Sequence, residues 1–84
     1  MVISDVVRFL SAAIQGEDRY SSRTDLPAVS LADLRKLFDY PADDPCMYNS
    51  YKVTAKQQQF IESLTGEVLD MSRFWYYVEC EASE

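Results

Sequence analysis

From Phe74 onwards the chain alternates. Phe74, Tyr76, Val78 and Cys80 fall on one side of an extended backbone, and Trp75, Tyr77, Glu79 and Glu81 fall on the other. The first set is apolar and predicts a buried face. The second is aromatic at one end and acidic at the other, which a merely solvated face does not require. A helical period replaces the alternation in two places. Leu31, Leu34, Leu37 and Phe38 repeat behind Ser30, a good N-cap, with Asp33 at the third helical position. Pro41 and Pro45 end that helix and enforce a loop, "DYPADDP". A second helix starts at about Thr54, places Phe60, Ile61 and Leu64 on one face, and stops at Gly66. Both helices are short and single-faced, so each needs a surface to cover, and a sheet is the simplest one.

The N-terminal segment reads two ways. Val2, Ile3, Val6, Val7, Phe9, Leu10, Ala13 and Ile14 lie at helical spacing, with Ser4 placed to cap and Gly16 to terminate. The same residues are rich in β-branched side chains and are followed by a turn-like "QGED" and by "RYSSRTDL". On that reading they form a hairpin, with strands from about Asp5 to Ile14 and from about Arg19 to Leu26. Periodicity does not decide between the two.

Composition narrows the class. Eighty-four residues predict a single domain spanning 1–84, and 48% hydrophobic with 13% aromatic residues is the make-up of a folded chain. The sequence has no apolar run long enough to span a bilayer, and "MVISDVVRFL" has an acid where a secretion signal carries basic residues. The expectation is a cytoplasmic protein without membrane contact. Cys46 and Cys80 fit no zinc or redox spacing and are read as ordinary reduced thiols. Histidine is absent, which removes the commonest general acid/base and the commonest transition-metal ligand. With only Gly16 and Gly66, there is no glycine-rich phosphate loop. Asp43 and Asp44 are adjacent in a proline-flanked loop and do not face each other across a substrate as paired catalytic acids do. The reading is therefore a protein that is not an enzyme, with no cofactor and no metal.

Charge is uneven along the chain. Residues 1–38 balance Asp5, Glu17, Asp18, Asp25 and Asp33 against Arg8, Arg19, Arg23, Arg35 and Lys36, so the net charge of −6 falls on the rest. A local negative field repels phosphate backbones and speeds encounter with basic partners. Direct nucleic-acid binding is not expected.

The C-terminal half resembles the small acidic immunity proteins of the colicin E3/cloacin type, which inhibit bacteriocin ribonucleases, and a wider set of uncharacterised small bacterial proteins. The residues that carry the likeness are "SYKV" at Ser50–Val53, the helix with Phe60, Ile61 and Leu64, and "LDMS" followed by "YYV", Leu69–Ser72 and Tyr76–Val78. The resemblance implies an α+β fold: an antiparallel sheet of three or four strands with two short helices on one face, in the order β-β-α-(β)-α-β. It also tips the N-terminal segment toward the hairpin. Asp70, Ser72, Tyr76 and Val78 match motif positions that set the last strand, and Tyr51 matches too. Ser50 corresponds to a position near the partner surface where those proteins can carry a cysteine.

The function so implied is stoichiometric inhibition of a basic nuclease toxin domain through an acidic, aromatic sheet surface. The expected partner-binding residues are Asp43, Asp44, Ser50, Tyr51, Trp75, Tyr77, Glu79 and Glu81. Trp75 and Tyr77 serve as anchors, and Asp43, Asp44, Glu79 and Glu81 pair with lysines and arginines. Two alternatives use the same features. One is an acidic nucleic-acid mimic of the phage anti-CRISPR or anti-restriction type; the other is a homodimeric interaction module, so both monomer and homodimer are open.

Overall fold

The computed structural model describes residues 6–17, 19–26 and 29–82. Its elements run β1 (Val6–Ile14), β2 (Tyr20–Asp25), α1 (Leu31–Leu37), β3 (Tyr51–Lys52), α2 (Ala55–Thr65) and β4 (Phe74–Ala82). This is the α+β order expected from the sequence. The strands form one antiparallel sheet of four in the order β2-β1-β4-β3.

The N-terminal segment is a strand, and the sheet explains why. β1 sits between β2 and β4, and its register against β4 is unbroken from Val6↔Ala82 to Ile14↔Phe74. Ladders on both edges satisfy its backbone polar groups, and its β-branched residues suit the pleated surface better than a helix. Asp5 and Ser4, where the two sequence readings begin, lie outside the described residues. The hairpin turns through Gly16, whose φ of 84° suits a residue without Cβ. Gln15 ties this turn to the one before β4, through N–H to the Arg73 carbonyl (2.9 Å) and Nε2 to the Met71 carbonyl (2.9 Å).

Both helices begin where their caps predict. Ser30 Oγ accepts the N–H of Asp33 at 3.1 Å. Thr54 and Gln57 form a reciprocal capping box, and Gly66 closes α2 at φ 74° with its N–H on the Glu62 carbonyl at 2.8 Å. Gln57 does a second job: its Nε2 donates to the Leu37 carbonyl at 2.7 Å, joining the start of α2 to the end of α1. A carbonyl at a helix end has no partner within its own helix, and here the side chain that satisfies it comes from the other helix.

The core lies between the helices and one sheet face. Leu10 and Ala12 of β1 and Tyr76 and Val78 of β4 pack with Leu34, Phe38, Val53 and Ile61. Leu34 and Ile61 have no exposed surface at all. Phe74 packs against the edge of this cluster, as the alternation predicts.

Candidate functional site: the open face of the sheet

With the helices on one side, the opposite face is built from alternate residues. The register sets Phe9 against Glu79, Ser11 against Tyr77 and Ala13 against Trp75, while Asp25, Arg23 and Tyr20 flank the same β1 residues from β2. Lys52 of β3 pairs with Tyr77 on the far side. A register shift between Ala12 and Ala13 brings Tyr20 rather than Ser21 beside Ala13. The face therefore has an aromatic end around Ala13 and a charged end around Phe9.

At the aromatic end lies a groove of ≈ 380 Å³. It is lined by Ala13, Tyr20, Trp75, Tyr77 and Ser50, together with Glu17 and Arg19 of the hairpin turn. Tyr20 is 65% exposed and Trp75 37%. Lys52 places its ammonium 5.2 Å from the centre of the Trp75 ring. The sequence expectations for Ser50, Trp75 and Tyr77 meet in this groove.

At the charged end the acids already have partners within the chain. Glu81 is bridged by Arg23 at 2.8 Å, and Arg23 also reaches Asp25 at 3.2 Å while lying 3.8 Å over the Phe9 ring. The Arg23 hydrogen bond holds the Glu81 carboxyl below its ordinary range. Glu79 accepts hydrogen bonds from the Ser11 and Tyr20 hydroxyls. That bond to Glu79 is the main reason the Tyr20 phenol is pushed above its usual pKa.

Two expected surface residues belong to the interior. Tyr51 and Asp44 are only 9% and 7% exposed. The Tyr51 hydroxyl donates to Asp44 Oδ2, and the same carboxylate accepts the N–H groups of Tyr48 (2.9 Å) and Asn49 (3.1 Å). These bonds, led by Tyr51, hold the Asp44 carboxyl below its ordinary range, and burial followed by the bond to Asp44 pushes Tyr51 up to about 12. The physical reason is parity: Tyr51 pairs with Val78 and shares its core side. Asp44 then follows Tyr51 inward to accept bonds from a loop whose N–H groups need partners. Asp43 stays exposed on that loop and is not among the residues around the groove.

Arg8 completes the loop's anchorage, donating to the carbonyls of Met47 (2.7 Å) and Cys46 (2.8 Å). Met47 is buried at φ 52°, a conformation that side chains with Cβ rarely adopt, and the surrounding bonds hold it there. Cys46 and Cys80 are free and half-buried, and Cys80 Sγ contacts the Tyr48 carbonyl at 3.5 Å. Burial pushes the Cys80 thiol up.

Sequence reasoning missed Tyr20. The available signal was a single large ring in an otherwise polar strand, "YSSRTD", but its place beside Ala13 depends on the register shift.

The family described as "Domain of unknown function (DUF7683)" matches residues 8–79, so the chain belongs to that family. No curated protein and no solved structure matches it. Among the described residues, no helix is long and apolar enough to cross a membrane.

Proposed function

We propose that this member of the DUF7683 family is a stoichiometric inhibitor that binds the basic nuclease domain of a toxin with the open face of its sheet. The observation that carries this reading is a face that no element among the described residues covers, where Tyr20 and Trp75 stay exposed around a groove although a helical layer covers the other side. Exposed aromatics of this kind supply stiff contact area at interfaces. The net charge of −6 favours a basic partner, and the C-terminal likeness to immunity proteins suggests a nuclease. No chemistry is required of the chain.

The working residues on this reading are Ser50, Trp75, Tyr77 and Glu79, with Tyr20 added. Glu81 acts only by exchanging Arg23 for a cation of the partner. A phosphate mimic has less support, because Arg23 interrupts the acids of this face and aromatics replace them beyond Glu79. A homodimer through the groove remains the alternative that exposed rings support.

The test begins with the reading frame beside the gene for this chain. A basic nuclease-like domain encoded there, purified and mixed with this protein, is expected to form a 1:1 complex that lacks nuclease activity. Affinity should fall with salt, and the double substitution Glu79→Lys, Glu81→Lys should weaken it strongly. Unrelated neighbours, or a nuclease domain that stays active and unbound, would sink the reading.

A further inference from the structure

We infer that the groove is a seat for one guanidinium group, an arginine side chain of the partner, stacked on the aromatic walls and paired with Glu79. This deepens the function proposed above and rests on the open face being a binding surface.

The argument turns on how Glu79 is held. Both of its hydrogen bonds, from Ser11 and from Tyr20, go to Oε2. Among the described residues Oε1 accepts nothing, and Glu79 enters no ion pair. Its neighbours differ: Glu17 is paired with Arg19, and Asp25 and Glu81 with Arg23. Oε1 is not sealed in either, since no buried side-chain polar atom among the described residues lacks a partner. The carboxylate is thus fixed by one oxygen and presents the other to solvent. Its two donors are neutral hydroxyls, so its charge is uncompensated while the side chain is half-buried. A cation arriving as water leaves gains a charge-assisted bond to an acceptor already oriented for it.

Tyr20 links that acceptor to the groove. Tyr20 lines the groove and its hydroxyl donates to Glu79, which lies beside the groove rather than among its lining residues, so a group stacked on the ring has this carboxylate as its neighbouring acceptor. Ala13, the smallest of the lining side chains, leaves room between the rings that a larger residue would take. This face already accepts cations against its rings, Arg23 over Phe9 and Lys52 near Trp75. Guanidinium fits better than ammonium because it is planar, stacks face-on and still donates from its edge.

The experiment titrates the full chain with N-acetyl-arginine amide, and with the lysine and citrulline counterparts. The readouts are Trp75 fluorescence, the single tryptophan making it specific, and backbone amide shifts in NMR. The arginine probe is expected to bind saturably in the millimolar range, with shifts at Ala13, Tyr20, Trp75, Tyr77 and Glu79. Citrulline, isosteric but neutral, should bind at least about tenfold more weakly, and Glu79→Gln should lose a similar factor. Glu81→Gln should bind normally, and Tyr20→Phe, which keeps the ring, should weaken binding severalfold. Absent saturable binding, equal binding of citrulline, or an unaffected Glu79→Gln protein whose amide spectrum is otherwise native, would each overturn the seat. Tighter binding of the lysine probe would overturn the choice of guanidinium. A nuclease domain that binds the Glu79→Gln protein unchanged would remove the seat and leave the open-face reading standing. Arginine binding without any nuclease complex would do the reverse.

Discussion

The hydroxyl of Tyr51, inside the core, donates to Asp44 Oδ2, and this bond makes an acidic loop residue part of the fold. The loop from Pro41 to Ser50 carries little regular structure, so its position depends on a few such contacts. Tyr51→Phe should therefore cost about 1.5–3 kcal/mol, the usual worth of a hydrogen bond to a charged group. Urea unfolding of the two proteins at neutral pH measures it.

The same pair gives stability a pH dependence at both ends. Asp44's folded pKa is depressed, chiefly by Tyr51, so its contribution is present above the unfolded value and is lost as pH falls through the folded one. Tyr51 is raised to about 12, so its contribution is full below the unfolded value and disappears as pH climbs through about 12. Unfolding midpoints should fall in acid below about pH 4 and again above about pH 10. Tyr51→Phe should flatten the alkaline limb, and Asp44→Asn should flatten part of the acid one. If both variants retain the full slopes, the pair does not control them.

The core centres where both helices meet the sheet. Leu34→Ala or Ile61→Ala should cost about 2–5 kcal/mol, a large share of the about 5–15 kcal/mol available to a typical domain. Val68→Ala is the control: at 88% exposed, Val68 buries almost nothing, and its thermal midpoint should be unchanged.

The end of α2 depends on a left-handed residue. Gly66 sits at φ 74°, and an added Cβ would meet no atom within 4 Å, so the cost of Gly66→Ala is conformational alone. It should be about 1–2 kcal/mol. A loss above that range in thermal unfolding would mean that contacts, not the backbone, fix this turn.

Trp75 reports on occupancy of the open face. Truncation to alanine should weaken the complex with a basic partner by about 2 kcal/mol or more if Trp75 is an anchor. In the free protein, dilution should leave its fluorescence unchanged. A dilution-dependent shift, matched by gel filtration, would identify a homodimer that buries this ring.

Much of the fold was legible because helix caps and strand alternation are local. Ser30, Thr54 and Gly66 act where their own backbone needs them, and the parity of Phe74 to Glu81 survives into the sheet. The site was harder to read. Asp44 and Tyr51 look like surface candidates in sequence, because an acid beside prolines and a tyrosine in a short strand carry no mark of burial. Glu81 looks free until the β1–β2 hairpin brings Arg23 across to it. Tyr20 is silent in sequence, since its position beside Ala13 comes from an irregularity in strand pairing.

The sequence by itself determined the two helices, the last strand and which side of that strand is apolar, since each follows from contacts within a few residues. Only the tertiary structure decided that Val6–Ile14 is a strand, which acids are spoken for, and that Glu79 keeps one oxygen open beside an aromatic groove. Those outcomes depend on partners far along the chain, 58 positions apart for Arg23 and Glu81 and 68 for Ser11 and Glu79. A local pattern cannot encode register, and register is what sets one carboxylate against an arginine and the next against two hydroxyls.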